Sequence, residues 1–258
     1  MVRELVGDLW DQDVALAVVQ NPDATRAALL LLADPPPSVE DGLVAESLAY
    51  AELQAGPEFA AWLAERGPAT PAPSSDPVRL RREGDHLTVT LHRPECHNAV
   101  DVAMRDALVE AFALVAADPA LTVTLEGDGP SFCSGGDLRE FGTFPDPATA
   151  HAIRLERLPA RALAAVADRF TARVHGHCVG AGVELAAFCH RVIAAPDTSF
   201  GLPEVAMGLV PGQGGTVSLP RRIGAPRTAW LALSGRAIDA ETALEWGLVD
   251  EIAGRPLS

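Results

Sequence analysis

The chain has 258 residues, 48% of them hydrophobic, and a formal net charge of −15, and every one of its 20 basic residues is an arginine. Without lysine it can form no Schiff base, attach no pyridoxal phosphate and build no Walker-type phosphate loop. The acidic balance also argues against nucleic acid as a partner: Met1 to Asp76 hold 3 basic and 13 acidic residues, where a duplex binder needs a cationic face.

Taken in chain order, apolar periodicity predicts short helices near Leu5 to Val19, Ala24 to Ala33, Val39 to Leu53 and Glu58 to Ala64, broken by Pro22, by Pro35 to Pro37 and by Pro57. The segment GPATPAPSSDP, residues 67–77, cannot hold a continuous helix and is predicted to be a linker. Beyond it, strands near Val78 to Arg82, Leu87 to Leu91, Leu121 to Leu125 and Thr171 to Val174 alternate with helices near Val102 to Ala117, Ala148 to Val166, Gly182 to Cys189 and Ala225 to Leu233. That alternation predicts an α/β fold. The expected division is a helical extension over residues 1–66, the Pro-rich linker 67–77 and a core over residues 78–258.

The longest wholly apolar runs, such as Ala27 to Ala33, are too short to cross a bilayer, and no basic, cleavable leader precedes them. A cytoplasmic protein with no membrane partner is expected. Cys96, Cys133, Cys178 and Cys189 show no CxxC or Cys/His spacing, and the seven histidines form no HExxH pattern. The cysteines are expected to be reduced and mostly buried, and no metal site is expected.

Two glycine-rich junctions carry the chemistry. In HGHCVGAGVELAAF, Gly180 and Gly182 let backbone amides approach a ligand oxygen where a helix begins, and Glu184 lies near that helix start. Such a turn also occurs as a plain tight turn, so the second junction matters. LTVTLEGDGPSFCSGGDL, Leu121 to Leu138, reads as a strand followed by Ser134, Gly135, Gly136 and Asp137. Two strand-to-loop junctions can each aim one amide at the same oxygen. Downstream, SFGLPEVAMGLVPGQGGT contributes a second carboxylate, Glu204. Asp137 either caps a following helix or touches a substrate.

These segments together resemble the crotonase, or enoyl-CoA hydratase/isomerase, superfamily, from about Val78 to Ile252. The resemblance rests on Phe132, Ser134, Gly135 and Asp137; on Gly176, Gly180, Gly182, Glu184 and Leu185; on Phe200, Gly201, Pro203 and Glu204; and on Pro211, Gly212, Gly214, Gly215 and Thr216, with HRPECHNAV and GLVDEI at either end. Jointly these matches are specific, though each alone is weak. The fold implied is α/β: a crotonase-like ββα spiral core, here with an N-terminal helical extension and a truncated C-terminal helical region.

The resemblance implies an acyl-CoA thioester substrate, no separate cofactor and a homo-oligomer, a trimer or hexamer. It assigns the two backbone donors of an oxyanion hole to Ser134 and Ala181, and the acid and base to Glu184 and Glu204. Both glutamates favour addition of water to a 2-enoyl-CoA, with Glu184 assisting attack at Cβ and Glu204 delivering a proton to Cα. Cys96, Gly135, Gly136, Asp137, Leu138, Gly180 and Gly212 are then expected along the substrate and its coenzyme. Glu95 stands where the family often has a lysine, and Arg173 where a small apolar residue is usual, so Arg173 needs a partner or solvent. Alternatives on the same resemblance are an isomerase, a cofactor-independent arylacetyl-CoA dioxygenase, suggested by the helical extension, or a non-catalytic acyl-CoA-binding subunit.

Overall fold

The computed structural model describes residues 2–70, 76–144 and 146–254. Residues 71–75 of the linker and 255–258 of the core therefore lie outside the described residues.

Five helices open the chain: α1 (Val2–Val6), α2 (Gln12–Gln20), α3 (Pro22–Ala33), α4 (Val39–Gln54) and α5 (Pro57–Arg66). Their starts are written in the sequence. Asp11 and Ser38 accept the amides of Val14 and Asp41 at 2.9 and 3.0 Å, and Pro22 and Pro57 occupy first-turn positions where no amide bond is lost. The single helix expected over Leu5 to Val19 is two, because the capping of Val14 by Asp11 restarts the helix there.

The remaining strands and helices build the α/β body. Its strands are β1 (Val78–Glu83), β2 (His86–Leu91), β3 (Thr122–Gly127), β4 (Phe170–Val174), β5 (His177–Val179), β6 (Arg191–Ala194), β7 (Ser199–Gly201), β8 (Ile238–Asp239) and β9 (Glu251–Ile252). Its helices are α6 (Val102–Ala117), α7 (Pro147–Glu156), α8 (Pro159–Ala164), α9 (Ala181–Ala186), α10 (Gly215–Ser234) and α11 (Ala240–Trp246). One sheet has the order β1-β2-β3-β4-β6-β9, and a smaller one the order β5-β7-β8. In the large sheet only β1 runs antiparallel to its neighbour.

Alternation along these strands sends Leu87, Val89, Val123, Leu125, Phe170, Ala172 and Val192 into the core. The opposite face is polar, with Thr122, Arg173 and Arg191 exposed. Arg173 thus meets the need for solvent, and in register it stands beside Glu126. The expected helix over Ala148 to Val166 is split into α7 and α8, since Pro159 cannot donate within a continuous helix.

The N-terminal helices share one hydrophobic core with the α/β body, Leu29, Leu32, Leu43 and Phe59 being buried with Val217, Leu219 and Trp230. Polar ties reinforce this. Trp230 donates its Nε1–H to Asp11 at 2.9 Å, and Glu58 of α5 accepts the amides of Asp23 and Ala24 at 2.7 and 3.0 Å at the start of α3. No helix among the described residues is long and apolar enough to cross a membrane.

Candidate active site

Glu184 lies in the first turn of α9 and is 1% exposed. Its Oε2 accepts the amides of Gln213 and Gly215 at 2.7 and 2.8 Å. Those amides open α10, where N–H groups lack intrahelical acceptors and the helix end favours negative charge. The alternating amides turn to a different carboxylate. Glu46 of α4, also 1% exposed, accepts Gly214 N–H at 2.7 Å through Oε1, and Thr216 N–H and Oγ1–H at 2.8 and 2.7 Å through Oε2. The start of α10 is therefore gripped by one carboxylate from the α/β body and one from the N-terminal extension.

Glu204 begins the short helical turn after β7. Gly180, at φ +51°, passes so close that a Cβ there would stand 2.6 Å from Glu204 Oε1, so both backbone shape and space require glycine. Glu204 Oε2 is buried without a hydrogen-bond partner. Burial pushes the Glu204 carboxyl up to about 8, helped by the nearby charge of Glu46. Burial likewise raises Glu184 well above the usual range, with Glu204 and Glu46 adding to it and the two amides opposing it. Glu46 is pushed up to about 7 by burial, against its bonds to Thr216 and Gly214. Close carboxyls of this kind titrate as a set and hold protons up to neutral pH.

Glu184 and Glu204 face one cavity of about 140 Å³, also lined by Gly136, Ala181 and Gly212. That volume is close to the ~150 Å³ that accommodates a benzene-sized guest, so it suits a short acyl group. The N-terminal extension supplies part of its wall. Tyr50 and Gln54 of α4 line it, one and two helical turns beyond Glu46 on the same stripe. A Cβ at Gly212 would lie 2.6 Å from the Tyr50 ring, so the glycine lets the ring in. Phe141, another lining residue, packs against Trp62 of α5 at 6.0 Å between ring centroids. Arg66 of α5 holds the same loop by donating to the carbonyls of Leu138 and Phe141.

Of the residues expected at the site, Glu184, Glu204, Ala181, Gly136, Asp137 and Gly212 line this cavity. Ser134 is placed differently: its amide donates to His97 O at 2.9 Å and its hydroxyl to Cys96 O at 3.3 Å. An amide spent in this way has no N–H left for a substrate oxygen, whereas Gly136, two residues on, borders the cavity. Gly135 lies behind it, where its carbonyl accepts Val100 N–H at 2.8 Å. Asp137 is both a cap and an anchor. It accepts Arg139 N–H at 3.1 Å and bonds Arg93 Nη2 at 3.1 Å. Burial pushes its carboxyl up, but Arg139 and Arg93 outweigh that and hold it near 2. Arg93 also pairs with Asp101 at 3.4 Å, which fastens the HRPE segment to the SGGD loop. Leu138 is 42% exposed and Cys96 is half-buried, both outside the cavity wall. Burial pushes the thiols of Cys133 and Cys189 up to about 12, which leaves them protonated and poor nucleophiles.

Sequence reasoning missed Glu46, Tyr50 and Arg154. A glutamate and a tyrosine at i and i+4 inside the apolar stripe of α4 were the available signal, since a carboxylate on a buried helix face needs a partner.

A mostly parallel α/β body brings the carboxyls of Glu184 and Glu204 together with Gly136 and Ala181 around one cavity. The sequence profile of the enoyl-CoA hydratase/isomerase family matches residues 82–256, and the chain belongs to that family within the crotonase superfamily. The chain is 37% identical over 174 residues to the 2,3-dehydroadipyl-CoA hydratase of Escherichia coli (strain K12), covering 67% of this chain and 68% of that protein. It is 36% identical over 172 residues to the mevalonyl-coenzyme A hydratase sidH of Aspergillus fumigatus, covering 64% of this chain and 62% of that one. An enoyl-CoA hydratase structure from Thermoplasma volcanium superposes with a TM-score of 0.65 at 33% identity, over 70% of this chain and 73% of that one.

Proposed function

We propose that the protein is an enoyl-CoA hydratase-like lyase that adds water across the double bond of a 2-enoyl-CoA. The observation that carries this reading is the pair Glu184, buried, and Glu204, half-buried with its Oε2 enclosed, both facing one cavity and differently bonded. Glu184 receives two amides and is the better seat for negative charge. Glu204 has a buried oxygen with no partner, which favours its neutral acid.

In this reading the thioester carbonyl sits between the N–H groups of Gly136 and Ala181, the donors we assign in place of Ser134 and Ala181. Glu184 takes a proton from water as its oxygen bonds to Cβ, and the π-electron pair of the double bond moves toward the thioester oxygen. The resulting enolate is stabilised by the two amides, already fixed before the reaction. It collapses as Glu204 gives its proton to Cα, leaving a 3-hydroxyacyl-CoA. Glu184 then holds the proton that Glu204 has lost, and transfer between them or with solvent resets the pair.

We also infer a homo-oligomer, supported by the apolar Leu16, Val19 and Leu30 exposed on the N-terminal helices. The function is tested by following loss of the conjugated-thioester absorbance with a panel of 2-enoyl-CoA esters. Turnover of at least one member with formation of its 3-hydroxyacyl product is expected. An enzyme inert to every member, or one that instead consumes oxygen with an arylacetyl-CoA, contradicts the reading.

A further inference from the structure

Arginine is unusually concentrated in the cavity wall of this acidic chain. Arg105, Arg154 and Arg157 all border the cavity that holds Glu184 and Glu204. One carboxylate, Asp106, serves both Arg105, at 2.8 Å, and Arg157, at 4.0 Å. Among the described residues no carboxylate pairs with Arg154. Its guanidinium stacks on the Tyr50 ring, 4.1 Å from the centroid, and donates only long bonds: Nη1 to Ser47 O and Oγ at 3.4 and 3.3 Å, and Nη2 to Gln54 Oε1 at 3.2 Å. These lie at or beyond the outer edge of normal hydrogen-bond lengths. Glu46 is the nearby carboxyl, but both its oxygens are committed to Gly214 and Thr216.

A half-buried guanidinium with spare donors, held flat by an aromatic ring, is an arrangement that takes a planar oxyanion side-on. We propose that Arg154, backed by Tyr50 and Gln54 of α4, is a subsite for a carboxylate at the far end of the acyl chain, so that the substrates are short acyl-CoA esters carrying a terminal acid. Burial lowers the readiness of Arg154 to keep its charge; Tyr50 and Glu46 oppose this, and the like charge of Arg105 adds to it. A bound carboxylate supplies an opposite charge that offsets these losses. The Gln54 amide can turn its NH2 to the same anion. The cavity volume of about 140 Å³ suits a short chain.

This inference rests on the reading of the cavity as an acyl-CoA site, and the test separates the two. A coenzyme A phosphate is the other oxyanion that Arg154 could hold. Calorimetry on the full chain compares saturated, unreactive esters in matched pairs: succinyl with butyryl, glutaryl with valeryl, adipyl with hexanoyl, and suberyl with octanoyl-CoA. Each pair shares the same coenzyme, so the ratio of affinities isolates the terminal acid. In at least one pair the acid-ended ester is expected to bind at least about tenfold more tightly, as fits a charge-assisted bond away from bulk water. That ratio is expected to fall toward unity in R154M and to recover in part in R154K, which keeps a charge but not the flat fork. A ratio at or below unity in every pair for the unmodified chain overturns the proposal, whether or not R154M folds. Equal weakening of both members of a pair by R154M overturns it in favour of a phosphate contact. Binding of no ester at all overturns the acyl-CoA reading and the subsite with it.

Discussion

Replacing Glu46 tests whether the N-terminal helices are part of the catalytic apparatus. Glu46→Ala leaves the amides of Gly214 and Thr216 buried without acceptors, while the Thr216 hydroxyl can rotate elsewhere. Each stranded amide costs about 1–3 kcal/mol, so the variant is expected to lose roughly 2–6 kcal/mol, a large share of a typical domain's 5–15 kcal/mol. Glu46→Gln keeps one acceptor oxygen and turns an NH2 toward the other amide, for a loss of about 1–3 kcal/mol. The order Ala worse than Gln worse than Glu should appear in urea midpoints. Activity should follow, because Gly214 and Thr216 alternate with the two residues whose amides hold Glu184. A displacement of that carboxylate by about 1 Å is worth up to ~10² in rate, so kcat of Glu46→Gln under conditions where it stays folded should fall by at least about tenfold, with a smaller change in KM. Wild-type urea midpoint and wild-type kcat in Glu46→Ala would refute the claim that α4 holds the start of α10.

Two further predictions concern protons and the oxyanion hole. The raised carboxyls of Glu46 and Glu204, about 7 and about 8 in the folded chain, favour the folded state when protonated, so their contribution is complete below the ordinary glutamate range near 4.5 and is lost as pH rises through 7 to 8. Urea midpoints should therefore decline over that window, less steeply in Glu46→Gln, and kcat should fall on the alkaline side as the pair loses its last proton; a midpoint rising from neutral to mildly alkaline pH contradicts the sign. Ala181 is the first residue of α9, a position where proline is tolerated by a helix, so Ala181→Pro deletes the N–H at modest structural cost and should lower kcat by about 10² or more. Full activity in folded Ala181→Pro places the second donor elsewhere.

Much of the α/β framework could be read from the chain because it is local. The helix expected over Val102 to Ala117 has the observed bounds of α6, whose start is fixed by Asp101 accepting Met104 N–H at 2.7 Å. The short strands β5 and β7 to β9 are two or three residues long, too short for alternation to build a pattern. The first half of α10 was hidden because it starts on glycines, contains Pro220 and turns at Gly224, φ 81°. At the site, Glu184 and Glu204 were legible because their motifs are continuous in sequence. Gly136 and Ser134 could not be ranked, since only the fold shows that the Ser134 amide is spent on His97. The grip of Glu46 on Gly214 and Thr216 spans some 170 residues, and the contacts of Arg154 with Ser47 and Gln54 span 107 and 100. No local pattern encodes such pairings; they follow from packing α4 against α7 and α10.

The most direct test of the two-carboxylate account is the rate of hydration of the preferred 2-enoyl-CoA by Glu184→Gln and Glu204→Gln, alongside calorimetric binding of the matching saturated ester. Each amide keeps the size of the glutamate but neither takes nor gives the proton. The account predicts that each substitution slows turnover by at least about 10² while ester binding changes far less. Turnover at the wild-type rate in either variant, in protein shown to be folded, contradicts it.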